Sequence, residues 1–411
     1  MAKRLLVLVT FMILLLALAM TTWLPAGTPA SDRGANHQDP PTRELLAVAA
    51  GEEAFAWDLY GVLRTIPGNL CFSPLSIHAA LAMAWSGAAG RTASECATVL
   101  HAQGGEAAFL AGETALMARQ GSAKNAELTV ANRLYGRPGL TFLAPFLDLC
   151  STVYGAPVEQ VAFPDPGRAR INAWVAESTK GHITDLIPPG AVDADTALVL
   201  VNAVYFKAMW AAPFTPGLTA VGPFTTASGT VVNAPFMNRS DDLPVADLDT
   251  AWLTELPYAG GDIAMDLIIP KDANGLPATE ATLTASALRL AFIGMRPRSV
   301  DLALPRFTMR WGTTPLKAAL TTLGLTTAFT ANADFSRMAQ DHVDIADLLH
   351  QAFIAVDEQG TVAAAATAVV ATLSATAIQP LPLRADHPFL FLIRDVKTEA
   401  ILFIGRVDDP S

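Results

Sequence analysis

An α+β fold in a single domain is the class this sequence predicts, from the way its short patterned segments are ordered. Apolar runs with β-branched members, of the kind that make buried strands, are interspersed irregularly with stretches whose apolar residues recur at helical spacing. No internal repeat is visible, and no Gly/Ser-rich linker divides the body. A chain of 411 residues has room for more than one average domain, but these features make one large mixed domain the economical reading.

Composition narrows the class of function. Hydrophobic residues supply 52% of the chain and charged residues 16%, too apolar a balance for disorder. A formal net charge of -11 leaves no electrostatic footprint for nucleic acid, heparin-like polyanions or anionic lipid, so those partners are set aside.

The chain opens with a basic start at residues 1–4, an apolar run over 5–20 broken by Thr10, and small residues near Ala26 and Ala30 that suit cleavage. This predicts an export signal over residues 1–30 and a secreted, extracellular body. The apolar run is at the long end for a signal peptide, so an uncleaved signal-anchor tethering the protein to a membrane is the other reading. No Cys follows the run, which argues against a lipoprotein anchor. The polar, Pro-containing residues 31–42 read as a flexible linker, which leaves residues 43–411 as the folded domain.

Within that body, Val48, Phe55, Leu59 and Leu63 fall at helical spacing over residues 44–63, and the Pro67-Gly68-Asn69 turn signal follows them. Residues 76–100 are Ala-rich with a break over 87–90, which predicts two helical stretches, the second opened by a capping box of Thr92 and Glu95. Residues 198–206, 263–269, 354–356 and 389–393 are the strand candidates. The only cysteines, Cys71, Cys96 and Cys150, are too few for a disulfide framework and lie in apolar or helical context, so each reads as a buried thiol. The sequon Asn238-Arg239-Ser240 permits glycosylation in a host that performs it.

The spacings that catalysis or metal binding require are missing. There is no G-x-S-x-G elbow, P-loop, H-E-x-x-H or G-x-G-x-x-G, and His37, His78, His101, His182, His342, His350 and His387 show no paired ligand spacing. No cofactor and no metal is implied. A Ser-His-Asp triad assembled from distant positions stays open, and with it a secreted hydrolase, because such triads are defined by geometry.

The segment from Val356 to Pro382 departs most from an ordinary core or loop. It is too apolar for a surface loop, while Thr361, Val362, Thr367, Val369, Val370 and Thr372 discourage a helix and favour a strand. In extended form Thr361, Ala363, Ala365, Thr367, Val369, Ala371 and Leu373 share one face, a row of mostly small side chains that fits between packed strands and a core. Gly360 supplies a pivot.

Glu358, Gln359, Gly360, Thr361, Ala363, Ala364, Ala365, Ala366 and Thr367 resemble the hinge of inhibitory serpins. The resemblance extends over nearly the whole chain after the linker, through Phe55-Ala56-Trp57-Asp58-Leu59-Tyr60, Phe72-Ser73-Pro74-Leu75-Ser76-Ile77 after Asn69, and Gly87-Ala88 with Gly90, Thr92 and Glu95. It continues through Ala131-Asn132-Arg133-Leu134-Tyr135, Ile171-Asn172 with Trp174-Val175, and Leu200-Val201-Asn202 with Tyr205-Phe206-Lys207 and Trp210. Leu304-Pro305-Arg306-Phe307, Ala333-Asp334-Phe335-Ser336 and His387-Pro388-Phe389 complete it.

The resemblance implies an α+β domain of three β-sheets and about eight or nine helices, with an exposed reactive-centre loop at about residues 358–387 that inserts as a new strand into the largest sheet. It implies a monomeric, irreversible suicide-substrate inhibitor of serine-type proteases rather than an enzyme. The protease attacks the loop, forms an acyl-enzyme and is carried off with the inserting strand before deacylation. Roughly a dozen residues at about 3.3 Å each make an inserted strand about 40 Å long. The hydrogen bonds gained on insertion, at about 1 kcal/mol net each, make the starting fold metastable.

Residue by residue, Ser73, Ser76, Asn202 and His350 match family positions that form a polar cluster beneath the strands that must part. Trp210, Arg306 and Glu358 match the point where the loop enters the sheet, and an Arg306 to Glu358 ion pair there matters only if it is partly buried. The usual hinge-to-bait length places the reactive bond at Ser374-Ala375. The stretch from there to Pro388 is a few residues longer than usual, so Leu373, Thr376 and Ala377 remain candidates for the residue before the cut. All are uncharged, which disfavours trypsin-like targets and favours elastase-, chymotrypsin- or subtilisin-like ones. Val362 stands where the family commonly has a charged residue, which raises the tendency to self-insert or polymerise. The rival within the family is a non-inhibitory carrier or chaperone, which is expected to have bulky, charged or Pro residues where this hinge has its Ala run.

Overall fold

The computed structural model describes residues 41–121, 126–361 and 379–411. The expected export signal, all but the end of the linker, the hinge residues from Ala363 to Thr367, and the reactive-bond candidates from Leu373 to Ala377 lie outside them.

Among the described residues the helices are α1 (Arg43–Leu63), α2 (Pro74–Ser86), α3 (Gly90–Val99), α4 (Glu106–Gly121), α5 (Ala144–Thr152), α6 (Gly167–Ser178), α7 (Leu276–Thr282), α8 (Ala285–Gly294) and α9 (Lys317–Thr322). The strands are β1 (Leu70–Phe72), β2 (Ala126–Gly136), β3 (Glu159–Gln160), β4 (Leu198–Met209), β5 (Ala220–Thr225), β6 (Val231–Asp247), β7 (Ala251–Pro257) and β8 (Ile263–Pro270). They continue with β9 (Arg296–Pro305), β10 (Phe307–Pro315), β11 (Ile345–Asp357), β12 (Gly360–Thr361), β13 (Leu381–Arg384), β14 (Phe389–Asp395) and β15 (Ile401–Val407). All the expected strand segments are strands, in β4, β8, β11 and β14.

Helix α1 follows its apolar spacing. Thr42 caps it by accepting a hydrogen bond from the Leu45 N–H at 3.2 Å, and Val48, Phe55, Leu59 and Leu63 lie on its buried stripe. Helix α2 is apolar on every side and buried from Pro74 to Trp85, packed against β2, β4 and β15. The expected break over residues 87–90 separates α2 from α3, but the expected capping box does not form. Helix α3 begins at Gly90, and Thr92 lies inside it. The Thr92 hydroxyl accepts from the Asp334 N–H at 2.9 Å, and Glu95 accepts from the Thr326 and Thr327 N–H groups at 2.8 and 2.7 Å. A distant loop supplies the donors that the helix's own end was expected to supply.

Six strands form one sheet in the order β10-β11-β12-β4-β2-β3, with β11 and β4 also paired directly and in parallel. The other nine are joined by hydrogen bonds because β6 is 17 residues long. Its first part pairs with β5 and β9, and its end pairs with β7, which leads on to β8, β14, β15 and β1. The expected three sheets are therefore the six-stranded one and two ladders sharing β6.

The main core fills the space around α2. A second, smaller core lies under α6 and the segment after it, where Ile171, Val175, Ile183 and Ile187 pack against Tyr135, Val199, Val201 and Leu349 of the six-stranded sheet. All the cysteines are free and buried, and burial pushes the Cys96 and Cys150 thiols up to about 12. No helix among the described residues is long and apolar enough to cross a membrane.

Candidate functional site

Three neighbouring strands of the six-stranded sheet carry one polar residue each at the same level: Asn132 on β2, Asn202 on β4 and His350 on β11 are register partners. A buried polar group left without a partner costs about 1–3 kcal/mol, so their bonds decide whether the row is tolerated. The Ser73 N–H donates to His350 Nε2 at 3.3 Å, which leaves Nδ1 to carry the ring proton and donate to Asn202 Oδ1. Asn202 Nδ2 donates to the Ser76 carbonyl at 2.8 Å, to Ser76 Oγ at 2.5 Å and to Asn132 Oδ1. Asn132 Nδ2 donates to the same Ser76 carbonyl at 3.1 Å, and Ser73 Oγ caps α2 by accepting from the Ser76 N–H at 3.2 Å. Burial pushes His350 down to about 3, so the ring is neutral at physiological pH. The structure thus brings Ser73, Ser76, Asn202 and His350 together at the start of α2 and adds Asn132. The signal for Asn132 was an amide standing among the apolar residues of a strand.

Above this row the two central strands part. The short β12 lies between them, Thr361 opposite Val356 of β11 and Ala208 of β4, Gly360 opposite Asp357 and Met209. Gly360 has φ 153°, and a Cβ there would lie 2.1 Å from the Ala208 carbonyl oxygen, so only glycine fits. Thr361 is fully buried and hydrogen-bonded to the Tyr258 hydroxyl at 2.7 Å. Its inward direction is as the alternation predicts. It is already seated in the sheet, between Val356 and Ala208.

The turn leading into β12 is held from both sides. Trp210 stacks on Tyr258 at 4.5 Å, its Nε1 donates to the Asp357 carbonyl at 3.0 Å, and its backbone N–H donates to the Gln359 carbonyl at 2.8 Å. Asp357 accepts from the Gln359 and Gly360 N–H groups at 2.8 and 3.2 Å, an Asx-type turn. Arg306 donates to Glu358 through Nε at 2.7 Å and through Nη2, and Thr219 donates to the same oxygen at 2.5 Å. The Glu358 side chain is 6% exposed and that of Arg306 44%, so the carboxylate end meets the burial the pair needs. Burial pushes Glu358 up, but the hydrogen bonds from Arg306 and Thr219 outweigh it and hold the carboxyl below its usual range. No sequence motif marked Thr219 or Tyr258, which reach the turn only through the fold.

Below β12, β4 and β11 pair directly from Phe353 with Tyr205 down to Ile345 with Leu198. His350 and Asn202 lie six residues further down β11 and β4 than Val356 and Ala208, the partners of Thr361. The arrangement is a slot started at its top, with a neutral, hydrogen-bonding row part-way down.

Three described histidines lie beside carboxylates, among them His101, whose Nε2 is 2.7 Å from Asp58 Oδ2, and two of the three have no ring nitrogen left for a nucleophile. His78 lies 3.6 Å from Glu113 and His387 lies 2.9 Å from Asp386, but their other ring nitrogens face the backbone carbonyls of Leu100 and Pro270. Among the described residues no group of His, Cys, Asp and Glu is arranged to hold a metal ion.

Residues 50–410 match the family described as Serpin (serine protease inhibitor). The chain is 35% identical to Serpin B4 of Homo sapiens over 391 residues, covering 89% of this chain and 100% of that protein. It is 37% identical to the leukocyte elastase inhibitor of Bos taurus over 385 residues, covering 88% and 99%. Human thyroxine-binding globulin, solved in complex with thyroxine, superposes with a TM-score of 0.82 at 29% identity, covering 90% of this chain and 100% of that one.

Proposed function

The chain belongs to the serpin family, and from that premise we propose that it is an inhibitory member, consumed in a covalent complex with one serine-type protease. The seated β12 carries this reading. A segment that already holds two strands apart, fixed by Glu358 and followed by small residues of strand character, is placed to continue inward once cleavage frees its far end. Insertion to position 367 would bring a threonine hydroxyl to the level of Asn202 and His350, where a departing partner must be replaced. The reactive bond we assign is Ser374-Ala375, with Leu373, Thr376 and Ala377 as alternatives. Their uncharged character and the likeness to an elastase inhibitor support elastase-, chymotrypsin- or subtilisin-like targets. The protein acts as a monomer after export, with residues 1–30 as the signal and 43–411 as the domain.

The likeness to thyroxine-binding globulin supports a second reading, a non-inhibitory carrier. Incubation with a panel of serine proteases separates the readings. An SDS-resistant complex with mass-spectrometric cleavage between Leu373 and Ile378 is the expected result. Simple cleavage without a complex overturns inhibition in favour of the carrier, and turnover of a substrate without consumption of the chain favours a hydrolase.

A further inference from the structure

After α6 the chain crosses the face of the six-stranded sheet on a tightly fixed path. Lys180 and Gly181 take φ of 54° and 79°, turning the chain out of the helix. The Thr179 hydroxyl bonds the Val175 carbonyl at 2.8 Å and accepts from the Ile183 N–H at 3.1 Å, and Ile183 is fully buried. His182, held between these anchors, lays its ring on Tyr205 at 4.4 Å and 11° and on Phe353 at 4.8 Å and 27°. Tyr205 and Phe353 are register partners, the uppermost direct pair of β4 and β11. The His182 carbonyl also accepts from Arg310 Nη2 of β10 at 2.9 Å, and that guanidinium lies 5.8 Å from the Phe353 ring centre. One residue outside the sheet therefore touches both strands that border the slot, directly below the end of β12, and is bonded to a third.

We propose that His182 is a positioning residue that holds the seam between β4 and β11 closed at its uppermost pair, and that a proton on its ring weakens the hold. The charges around the ring favour the neutral form. Arg310 faces it from β10, Lys207 from β4 and Lys180 from its own segment, against Glu127 of β2, which is ion-paired to Lys180. Cation–π attraction to the two rings favours the imidazolium, but partial burial and the three cations oppose it. The balance, with burial first and then Arg310 and Lys207, holds His182 below its ordinary value. A base with a lowered pKa takes its proton more readily when released. The hold is thus at full strength above about pH 6.5, the ordinary histidine value, and weakens as pH falls below it.

The consequence for loop insertion rests on the inhibitor reading, but the hold itself is measured without a protease. Backbone amide exchange at residues 203–205 and 351–353 reads opening of the seam in the full chain, with wild type, His182→Phe and His182→Ala compared at equal pH so that intrinsic exchange cancels. At about pH 7.5, His182→Phe, which stacks but does not titrate, should match wild type, and His182→Ala should exchange at least about threefold faster. At about pH 5.5, wild type should exchange at least about threefold faster than His182→Phe, and since every other histidine is shared, the difference belongs to His182. Exchange of His182→Ala equal to wild type at neutral pH overturns the hold. A ratio of wild type to His182→Phe that is the same at both pH values overturns the proton's part in it. Absence of a covalent complex with every protease tested strikes the inhibitor reading and leaves these ratios as they are.

Discussion

Each large sheet contains a buried polar row across three strands, and the two rows are made of opposite materials. In the nine-stranded sheet, Arg394 of β14 donates to Asp266 of β8 at 2.7 Å and to Glu255 of β7 at 2.5 Å, with Phe292 of α8 lying 3.9 Å from the guanidinium. In the six-stranded sheet, Asn132, Asn202 and His350 are all neutral. Parting the charged row strands a buried carboxylate or guanidinium, at several kcal/mol, while parting the neutral row leaves groups that any incoming hydroxyl or backbone amide can satisfy for about 1 kcal/mol each. On the proposed inhibition, the sheet that stays shut and the sheet that opens are both polar inside. What separates them is whether the polar groups are charged.

The strongest way to break this comparison is Arg394→Ala. It leaves Asp266, which is fully buried, without its counter-charge, and should cost about 3–5 kcal/mol in denaturant unfolding. Intact and loop-cleaved protein should suffer alike, because the proposed insertion runs between β4 and β11 of the six-stranded sheet. A loss below about 1 kcal/mol would mean that the charged row is no clamp.

Thr361→Arg tests the slot. A guanidinium in place of this buried hydroxyl loses the Tyr258 bond and has no charge partner, several kcal/mol against seating β12. Acylation at the distant reactive bond is untouched, so deacylation should outrun insertion and the variant should be cleaved as a substrate. Val362→Arg, one residue along and outward by alternation, should keep most inhibition. The moles of inhibitor consumed per mole of protease inactivated compare the two, and equal values would sink the register.

The smallest effect belongs to Glu358→Gln, because its partner Arg306 is 44% exposed and solvent screens the pair, leaving about 1 kcal/mol at neutral pH. The Glu358 carboxyl is held below its usual range, so its contribution is present above about pH 4.5 and lost as pH falls through the lower, folded value. Melting curves of wild type and Glu358→Gln should therefore converge in acid. A gap that persists or widens there would contradict the assigned role of the ion pair.

Much of this was legible in the sequence, and the exceptions have one physical origin. Periodicity located α1, the break between α2 and α3 and the principal strands, because each buries one face or both and the spacing of apolar residues records it. The family motifs identified Ser73, Ser76, Asn202 and His350, and alternation set Thr361 facing inward. Local pattern failed where a side chain had a choice of partners. Thr92 and Glu95 have the spacing of a cap but bond a loop more than 200 residues away. Thr361 has strand character in the sequence, but that it is already seated depends on the ladders of β4 and β11 and on Tyr258. His182 carries no motif at all, and its two stacking partners, Tyr205 and Phe353, lie far from it in sequence. Segment type and facing direction are settled by residues within a turn or two of one another, so the sequence by itself determined them. Which donor meets which acceptor, how deep β12 sits and what bridges the seam depend on distances between segments remote along the chain, and only the tertiary structure decided those.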